Sequence, residues 1–401
     1  MHLLCLFAAL TQALASSPFW PQPQSFSTGT DAVFLSTTFT FAIQDQSDIL
    51  SKAADRYINL ISATEAPEGV NLISKCIVDV SEVVEDEYAT LQLGVDESYT
   101  LIVDSSGSCS ISSKTVWGAL HAFETFSQIL VRDGGSVVTN HAPVEVTDFS
   151  RFTHRGLLVD TSRHYLPMSF LQQIIDSLPM NKFNVLHWHM VDAQSFPVDT
   201  PSAPRMVKGA YSPSMTYRME DITTLTSYAA DRGVRLLLEI DVPGHAASWT
   251  KGYPHIMAKC FKKYSYNIND FALDPTQDET YAVLSDVLGD IVQASGAKNI
   301  HIGGDEVVYG CWANDTSITT FMAENDIPSN DALLEYFVLK ADDITRSLGA
   351  TPVHWEEVFK AGAKVGMDVI FEVWTSQSVV ASVVDANYSV IAAPSDVWYL
   401  E

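Results

Sequence analysis

From Arg155 onward the chain alternates short apolar runs with amphipathic stretches of helical period. The runs Gly156 to Asp160, Asn184 to His189, Arg235 to Ile240, Asn299 to Ile302, Thr351 to Trp355, Asp368 to Trp374 and Ser389 to Ala392 predict seven strands. Between them, helices are predicted over Ser169 to Met180, Asp221 to Arg232 with Gly233 as C-cap, Asp274-Pro275 to Ser295, and Asp331 to Leu348 ending at Gly349. Strands that alternate with helices in this way form a parallel sheet with crossover helices.

The preceding segment has a different texture. Pro18 to Pro23 look extended, Val33 to Ile43 and Tyr99 to Val103 are β-prone, and Asp48 to Ile61 and Thr115 to Leu130 read as amphipathic helices. The expectation is a small α+β domain over residues 18–149, followed by a barrel domain over 150–401.

Each predicted strand of the second domain ends in polar or aromatic residues: Thr161-Ser162-Arg163-His164, Val191-Asp192, Asp241-Val242-Pro243-Gly244-His245, Asp305-Glu306, Trp355-Glu356-Glu357, Trp374, and Trp398-Tyr399. Functional residues repeated at successive carboxyl ends indicate a (β/α) barrel, whereas a doubly wound sheet concentrates them at one switch point. The fold class is therefore α/β, a (β/α)8-type barrel of which seven strands are present.

Composition adds bounds. A hydrophobic fraction of 47% and a charged fraction of 18% over 401 residues suit an ordinary globular protein. The formal charge of -26 opposes binding to nucleic acid or anionic membrane, so a neutral or cationic substrate is expected. Leu3 to Leu14 is too short an apolar run to span a bilayer, and Ala13-Leu14-Ala15 has a signal-peptidase pattern, so residues 1–15 read as a secretory signal. Its removal takes Cys5 and leaves Cys76, Cys109, Cys260 and Cys311, which allow three pairings; sequence-local pairing would put one bridge in each half. Sequons at Asn314 and Asn387 fit the same route, to an extracellular or lysosomal/vacuolar destination.

The chemistry concentrates at His301-Ile302-Gly303-Gly304-Asp305-Glu306. The glycines accept backbone angles that let both acids turn toward one cavity. Neighbouring carboxylates are badly placed to flank a glycosidic bond as an ordinary acid and nucleophile do. They suit an acetamide-assisted reaction, in which Glu306 protonates the leaving oxygen and Asp305 holds the acetamide. Asp192 and His245, at strand ends of the same barrel face, are candidates for tuning the acid. Trp355 and Trp374 suit stacking on a pyranose, Trp188 reads as core, and Arg155 offers a donor fork to hydroxyls or holds a carboxylate. A competing pattern is His187-x-His189 with His245, His301 and Asp305, as in metal-dependent amidohydrolase barrels.

Arg155-Gly156-Leu157-Leu158-Val159-Asp160-Thr161-Ser162-Arg163-His164-Tyr165, Asn181-Lys182-Phe183-Asn184-Val185-Leu186-His187-Trp188-His189, Pro243-Gly244-His245 and His301 to Glu306 occur in that order. Together they resemble β-N-acetylhexosaminidases of glycoside hydrolase family 20. The resemblance implies Glu306 as acid/base, Asp305 as acetamide-orienting residue, and Asp192 and His245 as partners of the acid. It further implies Arg155, Trp355, Trp374, Tyr399, His189 and Glu401 as substrate-binding residues, and the pairing Cys76 with Cys109 and Cys260 with Cys311. No cofactor or metal is implied; the partner is a glycan with terminal β-linked GlcNAc or GalNAc, and a homodimer is possible. Ala193 and Glu401 stand where relatives usually carry Asp. An eighth βα unit with a later Trp and Glu is expected beyond Glu401, so the chain reads as a shortened form with an open barrel, inactive or sugar-binding if the pocket stays incomplete.

Overall fold

A computed structural model describes residues 17–400 except 45 and 83. The expected signal sequence, with Cys5, and the expected contact at Glu401 lie outside the described residues. The chain divides into two compact units.

The first unit gathers the chain up to Arg155 with Ile175–Asn184 and Ala230–Val234. Its sheet contains β1 (Ser25–Ile43), β2 (Leu72–Val80), β3 (Tyr99–Val103), β4 (Cys109–Ser113), β5 (Val131–Asp133) and β6 (Ser136–Asp148), in the order β1-β2-β4-β3-β6-β5 with β1 also paired to β6. Helices Asp48–Ile61 and Val116–Gln128 pack on each other and on this sheet. Ser47 caps the first through its side chain, which accepts from the Leu50 N–H, and Thr115 caps the second by accepting from Gly118. The core includes stacked Phe41 and Phe123, with Phe39 stacked on Phe126. Cys76 is bonded to Cys109, its register partner on the neighbouring strand.

Charge is also buried here. Lys182 Nζ lies 2.7 Å from Asp148 Oδ2 and donates to Tyr99 Oη at 2.8 Å. Burial pulls the Lys182 amine down, and Asp148 opposes it. Arg155, expected at a sugar, is engaged differently. Its NH1 pairs with Glu97 at 2.8 Å, and Nε and NH1 donate to the carbonyls of Lys182 and Phe152. Burial pushes Glu97 up, but His121 and Arg155 outweigh it and hold the carboxyl down at about 2. Arg155 is thus the carboxylate holder of its two expected roles, because it precedes β7 (Gly156–Asp160) and sits at that strand's amino end.

The second unit is built on β7, β8 (Val185–Val191), β11 (Arg235–Ile240), β12 (Asn299–His301), β13 (Thr351–Trp355), β14 (Ile370–Val373) and β15 (Ser389–Ala392), with β9 (Val198–Asp199) and β10 (Tyr217–Arg218) forming a separate short pair. The seven large-sheet strands are parallel and neighbour one another in chain order, with β7 and β15 outermost. The sheet curls strongly. His187 of β8 approaches Glu372 of β14 to 3.2 Å although three strands stand between them. This is a partial (β/α) barrel, in line with the expected fold class.

Boundaries shift where local hydrogen bonds compete. The helix expected from Asp274 starts at Asp278, because Asp274 Oδ1 accepts from the backbone and hydroxyl of Thr276 and holds a turn. Gly233 ends the preceding helical segment at φ 72°, and Gly296 caps Asp278–Ser295 at φ 64°. The second disulfide joins Cys260 to Cys311.

Replacing Lys182 with Met removes the only charge drawn to Asp148 Oδ2 within this pair, and should cost about 3–5 kcal/mol in urea unfolding. A loss below about 1 kcal/mol would show that Asp148 finds compensation elsewhere.

Candidate active site

Strand alternation sorts the interior of the curled sheet into layers. Val185, Leu237, Val353 and Ile370 form a buried apolar cluster. Two residues further toward the carboxyl ends, the same face carries His187, Glu239, Trp355 and Glu372. His189 and His301 stand beside Glu239 in register. A polar layer therefore rests on an apolar floor.

Glu239 organises that layer. Its Oε1 accepts the Trp355 indole N–H at 2.7 Å, and its Oε2 lies 2.8 Å from both His187 Nε2 and His189 Nδ1. Burial would raise this carboxyl, but His189 and the neighbouring imidazoles hold it well below the usual range. His187 and His189 respond in the opposite direction. Burial alone would lower both, yet Glu372 and Glu239 push His187 up to about 9, and Glu239 with Asp192 pushes His189 up to about 10.

At the mouth, Asp192 follows β8, His245 lies in the loop after β11, and Asp305 and Glu306 follow β12. Asp192 is completely buried and accepts from Arg163 at 2.7 Å, His189 at 2.9 Å and His245 at 3.1 Å. Those donors outweigh burial and keep it ionised far below the ordinary carboxylate range. The other ring nitrogen of His245 faces Asp305 Oδ2 at 3.5 Å and Glu306 Oε2 at 3.6 Å. Burial opposes charging His245, but Asp192 and Asp305 raise its basicity. The Asp305 side chain is 18% exposed and that of Glu306 59%, so one acid is walled in and its neighbour faces out.

Backbone strain sets this arrangement. Gly303 and Gly304 lie at φ 72° and 100°, and the non-glycine residues Glu306 and His245 at 47° and 52°. A Cβ on Gly303 would come within 1.8 Å of Asp241 Oδ1, so this glycine is required by contact as well as by angle. Asp241 Oδ1 accepts the Gly304 N–H at 3.1 Å. Burial, then the charge of Asp305, pushes Asp241 far above the carboxylate range, and burial also raises Asp305.

The tryptophans divide as expected between core and strand ends. Trp188 is fully buried, its N–H donating to Thr161. Trp355 is 7% exposed and packs against His187 and His301. Trp374 donates to Glu357 at 3.1 Å, and its backbone N–H donates to buried Glu356 at 3.0 Å. Burial and then Asp305, against the Trp374 bond, lift Glu357 to about 7. Tyr399 is raised to about 12 by burial and then by the charges of Glu372, Asp305, Glu239 and Glu357.

His187, His301 and Glu372 come within metal-ligating range of one another, as do His189, Glu239 and Asp241. In the first group His187 Nδ1, His301 Nε2 and Glu372 Oε2 have no hydrogen-bond partner among the described residues, so their facing atoms are not engaged elsewhere. His301 Nδ1 accepts from the Gly303 N–H, so the proton of the neutral ring sits on Nε2, the atom aimed at Glu372. Both nitrogens of His189 face carboxylates. A ligating imidazole needs one free lone pair.

The geometry agrees with comparison to known proteins. Residues 152–401 match the glycosyl hydrolase family 20 catalytic domain, and residues 19–129 match a domain described as beta-acetyl hexosaminidase like. The chain belongs to glycosyl hydrolase family 20. Beta-hexosaminidase 1 of Arabidopsis thaliana is 36% identical, over 100% of this chain and 78% of that protein. Beta-hexosaminidase subunit A1 of Dictyostelium discoideum is 34% identical, over 95% of this chain and 70% of its own length. The solved Flavobacterium johnsoniae chitobiase superposes with a TM-score of 0.82 at 25% identity, covering 94% of this chain; the chain spans 59% of that structure.

Within this family-20 chain, Asp192, His245, Asp305 and Glu306 converge, Trp355 donates to Glu239, and Trp374 donates to Glu357. Two expectations change. Arg155 is held by Glu97, whereas Arg163, after the carboxyl end of β7, is 38% exposed and joins Asp160 and Asp192. His189, expected at the substrate, is 5% exposed with both ring nitrogens occupied. Glu239, Asp241 and Glu357 were not singled out for chemistry. The strand-end rule that selected Asp192 pointed equally to Arg163; nothing in the local sequence marks Glu239 as inward-facing and paired.

His187 and His189 have folded basicities above the unfolded value of about 6.5. Their stabilisation is complete below that pH and is lost as pH rises through about 9 and about 10. Thermal unfolding followed by calorimetry should show Tm falling across this window. The slope should be smaller in His189→Gln; an unchanged slope would refute buried imidazolium at this position.

Proposed function

We propose that this chain is an exo-acting retaining glycosidase that releases non-reducing terminal β-N-acetyl-D-hexosamine, GlcNAc or GalNAc, with the substrate's own acetamide as nucleophile. The observation that carries this reading is the meeting of both acids at one nitrogen: Asp305 and Glu306 lie 3.5 and 3.6 Å from His245 Nε2. A nucleophile and an acid on opposite sides of a glycosidic bond need carboxyls about 5 Å apart, with the sugar between them. Two adjacent acids projecting from one loop toward the same imidazole lie on one side of the site, which favours an attacking oxygen supplied by the substrate.

In this scheme Glu306, facing outward, donates its proton to the leaving oxygen. The acetamide carbonyl oxygen attacks the anomeric carbon as that bond breaks. Asp305 accepts the acetamide N–H and stabilises the oxazolinium ion. Water deprotonated by Glu306 then opens the ring with net retention. Trp355 and Trp374 wall the acetamide, Tyr399 donates to its carbonyl, and Arg163 takes the hydroxyl-binding role expected of Arg155.

The setting we propose is the secretory pathway, extracellular or lysosomal/vacuolar. Two disulfides support it, and Asn314 and Asn387 are exposed as glycan acceptors must be. Among the described residues no helix is long and apolar enough to cross a membrane.

The test is release of a chromophore from an aryl N-acetyl-β-glucosaminide. Glu306→Gln should lower kcat about 10²–10⁴-fold for a poor leaving group. Asp305→Asn should lower kcat for the acetamido substrate, and the matching glucoside should be a very poor substrate. Equal turnover of glucoside and N-acetylglucosaminide would sink the acetamide-assisted mechanism.

A further inference from the structure

His189 stands between two carboxylates that serve different parts of the site. Its Nε2 is 2.9 Å from Asp192 Oδ2, and its Nδ1 is 2.8 Å from Glu239 Oε2. A neutral imidazole has one N–H, so one of these contacts would oppose two lone pairs unless a carboxyl carried the missing proton. Both carboxyls are also met by obligate donors. Asp192 Oδ1 faces the Ala193 N–H at 2.5 Å and His245 Nδ1 at 3.1 Å, while its Oδ2 also faces Arg163 at 2.7 Å. Glu239 Oε1 accepts from Trp355 at 2.7 Å, and Oε2 also faces His187 at 2.8 Å. The Ala193 and Trp355 N–H groups and the Arg163 guanidinium favour the ionised carboxylates, which leaves the proton on the ring.

We propose that His189 is a doubly protonated positioning residue, donating from Nε2 to Asp192 and from Nδ1 to Glu239, and so fixing the His245 arm and the Trp355 wall with one ring. This rests on the hydrolase reading only for what the two arms do. Through Asp192, His189 sets where His245 meets Asp305 and Glu306. Through Glu239, it sets the indole of Trp355. The titratable and charged groups around the ring are Asp192 and Glu239 in contact, Arg163, His245 and Asp305 on the mouth side, and His187, His301, Asp241 and Glu372 on the interior side. Their arrangement alternates in sign along Arg163, Asp192, His189, Glu239, His187 and Glu372. Removing one member leaves like charges facing each other.

The decisive measurement is nitrogen NMR of the full chain labelled with 15N-histidine, with His189→Gln used for assignment. Both ring nitrogens of His189 should show protonated resonances at about pH 7, where an unperturbed histidine is largely neutral. An unprotonated nitrogen there would overturn the proposal. In Glu239→Gln, His189 should lose its second proton at a lower pH; an unchanged titration would also overturn it.

Kinetics test the positioning role. With the aryl N-acetyl-β-glucosaminide, His189→Gln should lower kcat and raise KM, together at least about tenfold in kcat/KM. In a Trp355→Phe background, which lacks the indole N–H, the KM effect of His189→Gln should shrink toward unity. Equal KM factors in both backgrounds would show that His189 does not act through Trp355. The spectra are recorded without substrate, so a doubly protonated His189 in a chain with no turnover would reject the hydrolase reading and keep the bridge.

Discussion

A carboxylate inside a barrel is tolerable only if donors meet it on every side, and Glu239 imposes that demand on the second unit. Three N–H groups answer it, from Trp355, His187 and His189. Each donor has further contacts, so the demand spreads. His187 reaches Glu372, His189 reaches Asp192, and Asp192 recruits Arg163 and His245. Position, charge state and orientation at the mouth are thus tied to a residue fully buried beneath it.

The apolar floor beneath this layer makes the arrangement effective. Val185, Leu237, Val353 and Ile370 keep the polar layer away from water on one side. The buried charges are therefore compensated among themselves, while Arg163 and Glu306 face solvent at the mouth. The contrast between walled-in Asp305 and outward Glu306 follows from two glycines and two strained residues, not from any difference in acid type. Adjacent residues acquire separate duties because the backbone between them is bent.

Much of this was legible from sequence, and the boundary between legible and hidden has a physical cause. Strands β7, β11, β13 and β15 match their expected bounds because apolar runs end abruptly at polar residues. The Asp305-Glu306 loop was visible for the same reason, and Asp192 and His245 followed from their strand-end positions. Arg155 and Arg163 flank the same strand in the same motif, so sequence offered both; only the observed partner Glu97 separates them. The family resemblance implied His189 as a substrate contact, but alternation points it inward, where carboxylates from β11 and the β8 loop take both nitrogens. Pairing among side chains brought together by curvature leaves no periodic trace.

The Cys76–Cys109 bond has a consequence of another kind. Its residues are already opposite each other in a parallel ladder, so the bond adds little reach to the fold. It works instead as an index mark. A slip of one residue between β2 and β4 would turn every inward side chain of one strand outward, and the sulfurs would no longer face each other. The cross-link thereby makes alignment a covalent fact, checked at a single point and inherited by the other pairs of that ladder.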